Sequence, residues 1–94
     1  MRPVQLADVE MAARVLMLSP PEARAVVMRN LIAETVQAEA YRQLHGIPHP
    51  QFGVGSLLSR AMRFQAAPRP AAFDADTLHA YGAVFAALSA YQSL

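Results

Sequence analysis

Apolar residues recur at intervals of three and four along most of this chain, and no stretch alternates apolar and polar residues with the period of a strand. The first stripe consists of Leu6, Val9, Ala13 and Leu16, and it predicts a helix over residues 6–18. Apolar residues also recur every three or four positions in three later stretches, which are described below. The pattern therefore predicts an all-α protein without a sheet.

Residues 19–22, Ser-Pro-Pro-Glu, have the composition of a helix start. Ser19 is predicted to cap the second helix, Pro20 to occupy its first position and Glu22 to close a capping box. Gly46 is predicted to end this helix as its C-cap. The second helix should therefore be long and span residues 20–45.

The first half of the second helix is apolar around its whole circumference. A helix of this kind must be covered on more than one side. The short first helix cannot cover it alone, so either the later helices or other copies of the protein complete the cover. We predict an oligomer or partner interface formed by Val26, Val27, Met28, Leu31, Ile32 and Val36.

A loop containing two prolines and two glycines is predicted over residues 46–55. Ser56 should cap a short third helix over residues 57–64. We expect the loop to tuck against the first two helices with Phe52 buried.

The segment 65–72 contains Pro68 and Pro70 and is predicted to be an extended strap. The last helix should begin near Asp74 or Asp76 and run towards Ser93, with Leu78, Tyr81, Phe85 and Leu88 as its apolar stripe. The expected architecture is a single domain over residues 1–94. Its first two helices form an antiparallel hairpin, and the last helix packs along the apolar half of that hairpin.

Composition narrows the class of protein. The chain has no cysteine, which excludes disulfides and thiolate metal sites and suggests a reducing compartment. The first residues lack the apolar run of a signal peptide. The longest uninterrupted weakly polar stretch, residues 80–91, is well short of the roughly 20 residues that span a bilayer. We therefore expect a cytoplasmic protein without membrane contact.

Charge is distributed unevenly although the net charge is only +1. Residues 40–73 carry four arginines and no acid, and these arginines form the candidate nucleic-acid-binding set: Arg42, Arg60, Arg63 and Arg69. Arginine suits phosphate contacts that position a nucleic acid. The alternatives are an ordinary solvated helix face and the arginine and alanine usage of a GC-rich genome.

The chain offers no catalytic or metal-binding pattern. His45 and His49 are four residues apart, but Gly46 and Pro48 break the helix that would align them, and no acid or cysteine lies nearby. The Gly-Val-Gly-Ser sequence at residues 53–56 has no lysine after it, so it does not match a phosphate-binding loop. We expect no enzyme activity, no metal and no cofactor.

One set of residues resembles a family of short alphaproteobacterial proteins: Tyr41-Arg42, Gly46, His49-Pro50, Phe52-Gly53, Gly55-Ser56-Leu57 and Ala61. The resemblance covers most of residues 1–64. It implies an association with prophage-like gene transfer agents, in which such a protein would be the small terminase subunit. Small terminases are helical, non-enzymatic, ring-forming proteins that present DNA to the large terminase. This chain lacks a clear N-terminal DNA-binding module.

Two functional hypotheses follow. In the first, the protein is a self-associating DNA-packaging component with DNA and a large terminase as partners. In the second, it is a small adaptor or regulator that binds a partner protein through its apolar helix faces. The first predicts a high-order ring, and the second predicts a monomer or dimer.

Overall fold

A computed structural model describes residues 1–92, and their fold is helical. The elements are α1 (Leu6–Leu16), a 3₁₀ turn (Pro21–Ala23), α2 (Arg24–His45), α3 (Leu57–Ala61) and α4 (Ala75–Gln92). Within these residues the only β pairing is an isolated bridge between His49 and Gly53. The all-α prediction is confirmed. The predicted end of the last helix at Ser93 lies outside the described residues.

The start of α2 differs from the prediction. Ser19 is not a cap, and no side chain caps the 3₁₀ turn, whose N-cap is Pro20 in an extended conformation. The reason is the second proline, because a residue that precedes proline is driven out of the helical region. The regular helix begins only at Arg24, whereas Gly46 ends it in the left-handed conformation (φ 74°), as predicted.

Two helices end earlier than predicted because their last turns tighten. After α1, the amides of Leu18 and Ser19 bond to carbonyls three residues back. The amides of Arg63 and Phe64 do the same after α3. Such i→i+3 bonds are typical of helix ends and stop the α-helical ladder.

Asp8 links the starts of two helices. This buried carboxylate accepts a 2.8 Å hydrogen bond from the amide of Gln5 through Oδ2 and a 2.7 Å bond from the amide of Leu58 through Oδ1. Ser56 Oγ accepts the amide of Ser59 and caps α3 as predicted. Together these acceptors fix α3 against the beginning of α1.

α1 and α2 form the predicted antiparallel hairpin. Arg2, just before α1, forms an ion pair with Glu39 in the second half of α2 at 3.7 Å. At the opposite end, Arg24 Nε donates to the carbonyl of Leu16 at 2.9 Å. α1 has its most extensive contacts with α3 and α4, which pack on its two sides.

The strap returns the chain along α1 before α4 begins. Arg14 Nε donates to the carbonyl of Ala67 at 2.7 Å, and the Ala67 amide donates back to the Arg14 carbonyl at 2.9 Å. α4 therefore starts beside the start of α2 and runs in the same direction. As predicted, α4 packs against the hairpin.

The apolar stripe predicted for α4 is only partly the buried one. Leu88 is buried and Tyr81 is half-buried, but Leu78 is 58% exposed and Phe85 is 54% exposed. The core uses the smaller side chains at positions 77, 80 and 84 instead. α4 is apolar on all sides, so its spacing could not indicate which side faces the core.

Arg24 occupies the junction of α1, α2 and α4. Its side chain is only 1% exposed. Besides the Leu16 carbonyl, it bonds to Asp76 Oδ1 at 2.9 Å and to His79 Nδ1 at 3.0 Å. One guanidinium thus joins the end of α1 to the first turn of α4.

The loop after α2 is held by backbone geometry. Gly55 has φ +94°, and a Cβ there would lie 2.9 Å from the Glu39 Cα. His49 Nδ1 accepts the amides of Gln51 and Phe52, both at 3.0 Å. Phe52 is half-buried rather than fully buried, because its ring stacks on His49 and lies beneath Arg60 near the surface.

Replacement of Asp76 by Asn should lower the free energy of unfolding by about 1–3 kcal/mol, because a buried guanidinium loses its carboxylate partner but keeps its other acceptors. Urea denaturation followed by circular dichroism at fixed protein concentration measures this change. The matched control is Glu10→Gln, which removes the exposed pair with Arg69 and should cost no more than about 0.5 kcal/mol. Equal losses would contradict the assigned role of Arg24.

Gly55→Ala should destabilise the fold by roughly 2–4 kcal/mol, because it adds both backbone strain and a contact with the α2 backbone. Gly82 is the control, since a Cβ at this helical position meets nothing within 4 Å. Gly82→Ala should instead stabilise the protein by roughly 0.5–1 kcal/mol. A Gly55→Ala variant as stable as the wild type in the same denaturation assay would refute this explanation.

Candidate functional site

An open groove runs between α2 and α4 and has a volume of about 790 Å³. Its walls are mostly small or apolar side chains. From α2 they are Ala25, Arg29, Ile32, Ala33, Val36 and Gln37, and from α4 they are Ala83, Ala86, Ala87, Ala90 and Tyr91. Because alanine side chains are short, another helix can approach the α2 and α4 backbones closely here.

Among residues 1–92, Arg29 is the only charged residue that lines this groove. The other seven arginines of the chain donate hydrogen bonds or form ion pairs within it. Arg29 is exposed and has no such partner within residues 1–92. The groove therefore combines an apolar floor with one unpaired positive charge.

The structure divides the predicted interface residues between the core and the surface. Met28, Leu31 and Ile32 are at most 7% exposed and belong to the core that α2 shares with α1 and α4. Met28 and Leu31 are therefore not available as a surface, whereas Ile32 also lines the groove. Val27 and Val36 are half-buried, and Val26 is 48% exposed. Later helices thus cover one side of α2, and the opposite side remains open at the groove.

Acids form ion pairs with most of the predicted nucleic-acid-binding arginines. Arg42 pairs with Glu39, Arg60 with Glu34 at 3.0 Å, and Arg69 with Glu10 at 3.6 Å. The Arg42–Glu39 pair follows from helical spacing, whereas the sequence could not show the pairs of Arg60 and Arg69, because their acids are distant along the chain.

Arg63 forms no ion pair in the described structure, but it donates to the Pro50 carbonyl at 2.8 Å. The hydrogen bond from Arg42 is the main cause that holds the pKa of Glu39 below its ordinary value. Arg60 additionally lies over the rings of Phe52 and Phe64, at 4.8 and 4.4 Å. The predicted patch is therefore largely a set of intramolecular contacts.

The remaining candidate chemistry has structural explanations. Tyr41 packs against His45 and His49, and the Nδ1 atom of His49 is occupied by two backbone amides. Among residues 1–92 no group of three or more histidines and acids is placed to hold a metal ion. In the same part of the chain, no helix has the length and apolar character needed to cross a bilayer.

Comparison with known proteins gives a family but no characterised relative. No curated protein and no solved structure matches the chain. A family model described as a domain of unknown function, DUF7742, matches residues 2–88, which is nearly the whole chain. The match includes α1, α2, α3 and α4 as far as Leu88, so the groove residues Ala90 and Tyr91 lie outside it. The chain therefore belongs to the DUF7742 family.

Proposed function

We propose that this protein is a non-enzymatic assembly component that functions by self-association, with the α2–α4 groove as its contact surface. The observation that supports this most directly is the groove itself, which is apolar, open to solvent and lined by small side chains. Large exposed apolar surfaces on small proteins mark interaction sites.

The dimensions of the groove suit a helix as occupant. Its α2 wall extends from Ala25 to Gln37, which corresponds to about 18 Å along the helix at 1.5 Å per residue. Small-molecule sites usually enclose most of the ligand surface, whereas this groove is open along its length. A helix of a second copy would cover the alanines and the adjacent Val26.

A small terminase of a gene transfer agent is the finer proposal, and it rests on the sequence resemblance. Small terminases also self-associate, so the finer proposal shares this part with the assembly component proposed above. Its DNA-binding part has less support, because Arg42, Arg60 and Arg69 already have carboxylate partners. The adaptor alternative uses the same groove but places a different protein in it.

Light scattering after size-exclusion chromatography should give a mass above that of one chain. Ala25→Glu should shift the protein to the monomer, because it places a carboxylate in the apolar groove. Ala7→Glu is the control, since it makes the same exchange at an exposed position of α1 outside the groove. A wild-type monomer, or equal behaviour of both variants, would contradict the proposal.

DNA binding should be weak if the arginines serve intramolecular pairs. Fluorescence anisotropy with duplex DNA at about 150 mM salt measures this affinity. We expect no binding tighter than non-specific binding, for which Kd is about 10⁻⁴–10⁻⁶ M at such salt. Tight, salt-sensitive binding that is lost in the Arg60→Ala, Arg63→Ala double variant would instead favour the DNA-packaging proposal.

A further inference from the structure

Two charged side chains lack an intramolecular partner within residues 1–92. One is the acid Glu22, in the 3₁₀ turn, and the other is the base Arg29, in α2. Every other Asp, Glu and Arg side chain in this range forms a hydrogen bond or an ion pair. The two exposed, unpaired charges are opposite in sign.

Arg29 lines the groove, and Glu22 lies in the 3₁₀ turn directly before α2. The two are seven residues apart. At 3.0 residues per turn in the 3₁₀ turn and 3.6 in α2, these seven residues complete roughly two turns, so both side chains point to about the same side. Val36, which lines the groove, continues the same row after another seven residues. At 1.5 Å per residue the two positions are about 10 Å apart, too far for an ion pair within one chain.

We infer that a second copy pairs with this face across a two-fold axis, so that Glu22 of each copy meets Arg29 of the other. The inference rests on the self-association proposed above and places its centre at the beginning of α2, at the end of the groove that Ala25 lines. In an antiparallel pair of α2 helices, residues 22 and 29 of one copy lie opposite residues 29 and 22 of the other. Two identical ion pairs therefore form at once, as a two-fold interface requires.

The residues between the two charges fit a close helix crossing. The axis falls between Ala25 and Val26, which are both exposed and apolar. The small alanine allows the backbones to approach, and the valine contributes apolar surface at the centre. The two ion pairs lie on either side of this contact, where charges set register and exclude wrong pairings.

Charge complementarity selects a second copy over an unrelated partner. An unrelated helix would need both an acid and a base at the matching seven-residue spacing, whereas this chain supplies both itself. A parallel arrangement of two copies in register would place Arg29 against Arg29 and Glu22 against Glu22. Only the antiparallel arrangement satisfies all four charges.

The test is a charge swap measured by analytical ultracentrifugation, with helical content checked by circular dichroism. Glu22→Arg alone and Arg29→Glu alone should each weaken the dimer roughly 100-fold, because each creates two like-charge contacts. The double variant Glu22→Arg, Arg29→Glu should restore the dissociation constant to within about threefold of wild type, because the exchanged charges are again complementary.

The control is Arg69→Glu, which changes the net charge by the same amount as Arg29→Glu but at an exposed position outside the groove, and it should leave dimerisation unchanged. A wild-type monomer would overturn both this inference and the proposed self-association. A dimer that tolerates either single reversal, or that the double swap fails to restore, would overturn the register but leave self-association standing. A mass above two chains would overturn the closed two-fold dimer.

Discussion

The fold depends on how the guanidinium of Arg24 is satisfied at the junction of three helices. A buried arginine is costly unless it is paired and its hydrogen-bond donors find acceptors. Here the acceptors are the carbonyl at the end of α1, the carboxylate of Asp76 and the ring of His79. These acceptors come from separate segments, so satisfying Arg24 requires α1 and α4 to meet at the start of α2.

This junction also decides which surface remains open. Because α4 starts beside α2 and runs in the same direction, its core side covers only one side of α2. The other sides of the two helices form the walls of the groove. The same arrangement that buries Met28 and Leu31 thus leaves Ala25, Arg29 and Ala33 in contact with solvent.

The motif that resembles other short alphaproteobacterial proteins now has a structural explanation. Gly46 and Gly55 have backbone conformations that disfavour other residues, and Gly55 also lies against the backbone of α2. Ser56 caps α3, and Leu57 and Ala61 are buried. These residues fix the loop and α3, whereas the proposed contact surface lies on α2 and α4, in positions that have no comparable sequence signature.

The sequence alone determined the helical class, the order of the helices, the C-cap at Gly46 and the cap at Ser56, because these depend on local spacing and backbone preference. It also indicated that α2 carries more apolar surface than α1 can cover. Its errors at the start of α2 and at the ends of α1 and α3 were local, since two prolines and tightened last turns override the average pattern.

Only the tertiary structure decided which side of the two apolar helices is buried and which arginines are available. Spacing could not orient α4, because its side chains are apolar in every direction. The pairing of Arg60 and Arg69 depends on acids from distant segments, whereas Arg42 pairs with Glu39 three residues earlier in the same helix. Only the fold shows that Arg29 and Glu22 have no such partner within residues 1–92. A charge that looks free in sequence can be paired in space, because partners are chosen by distance and not by position along the chain.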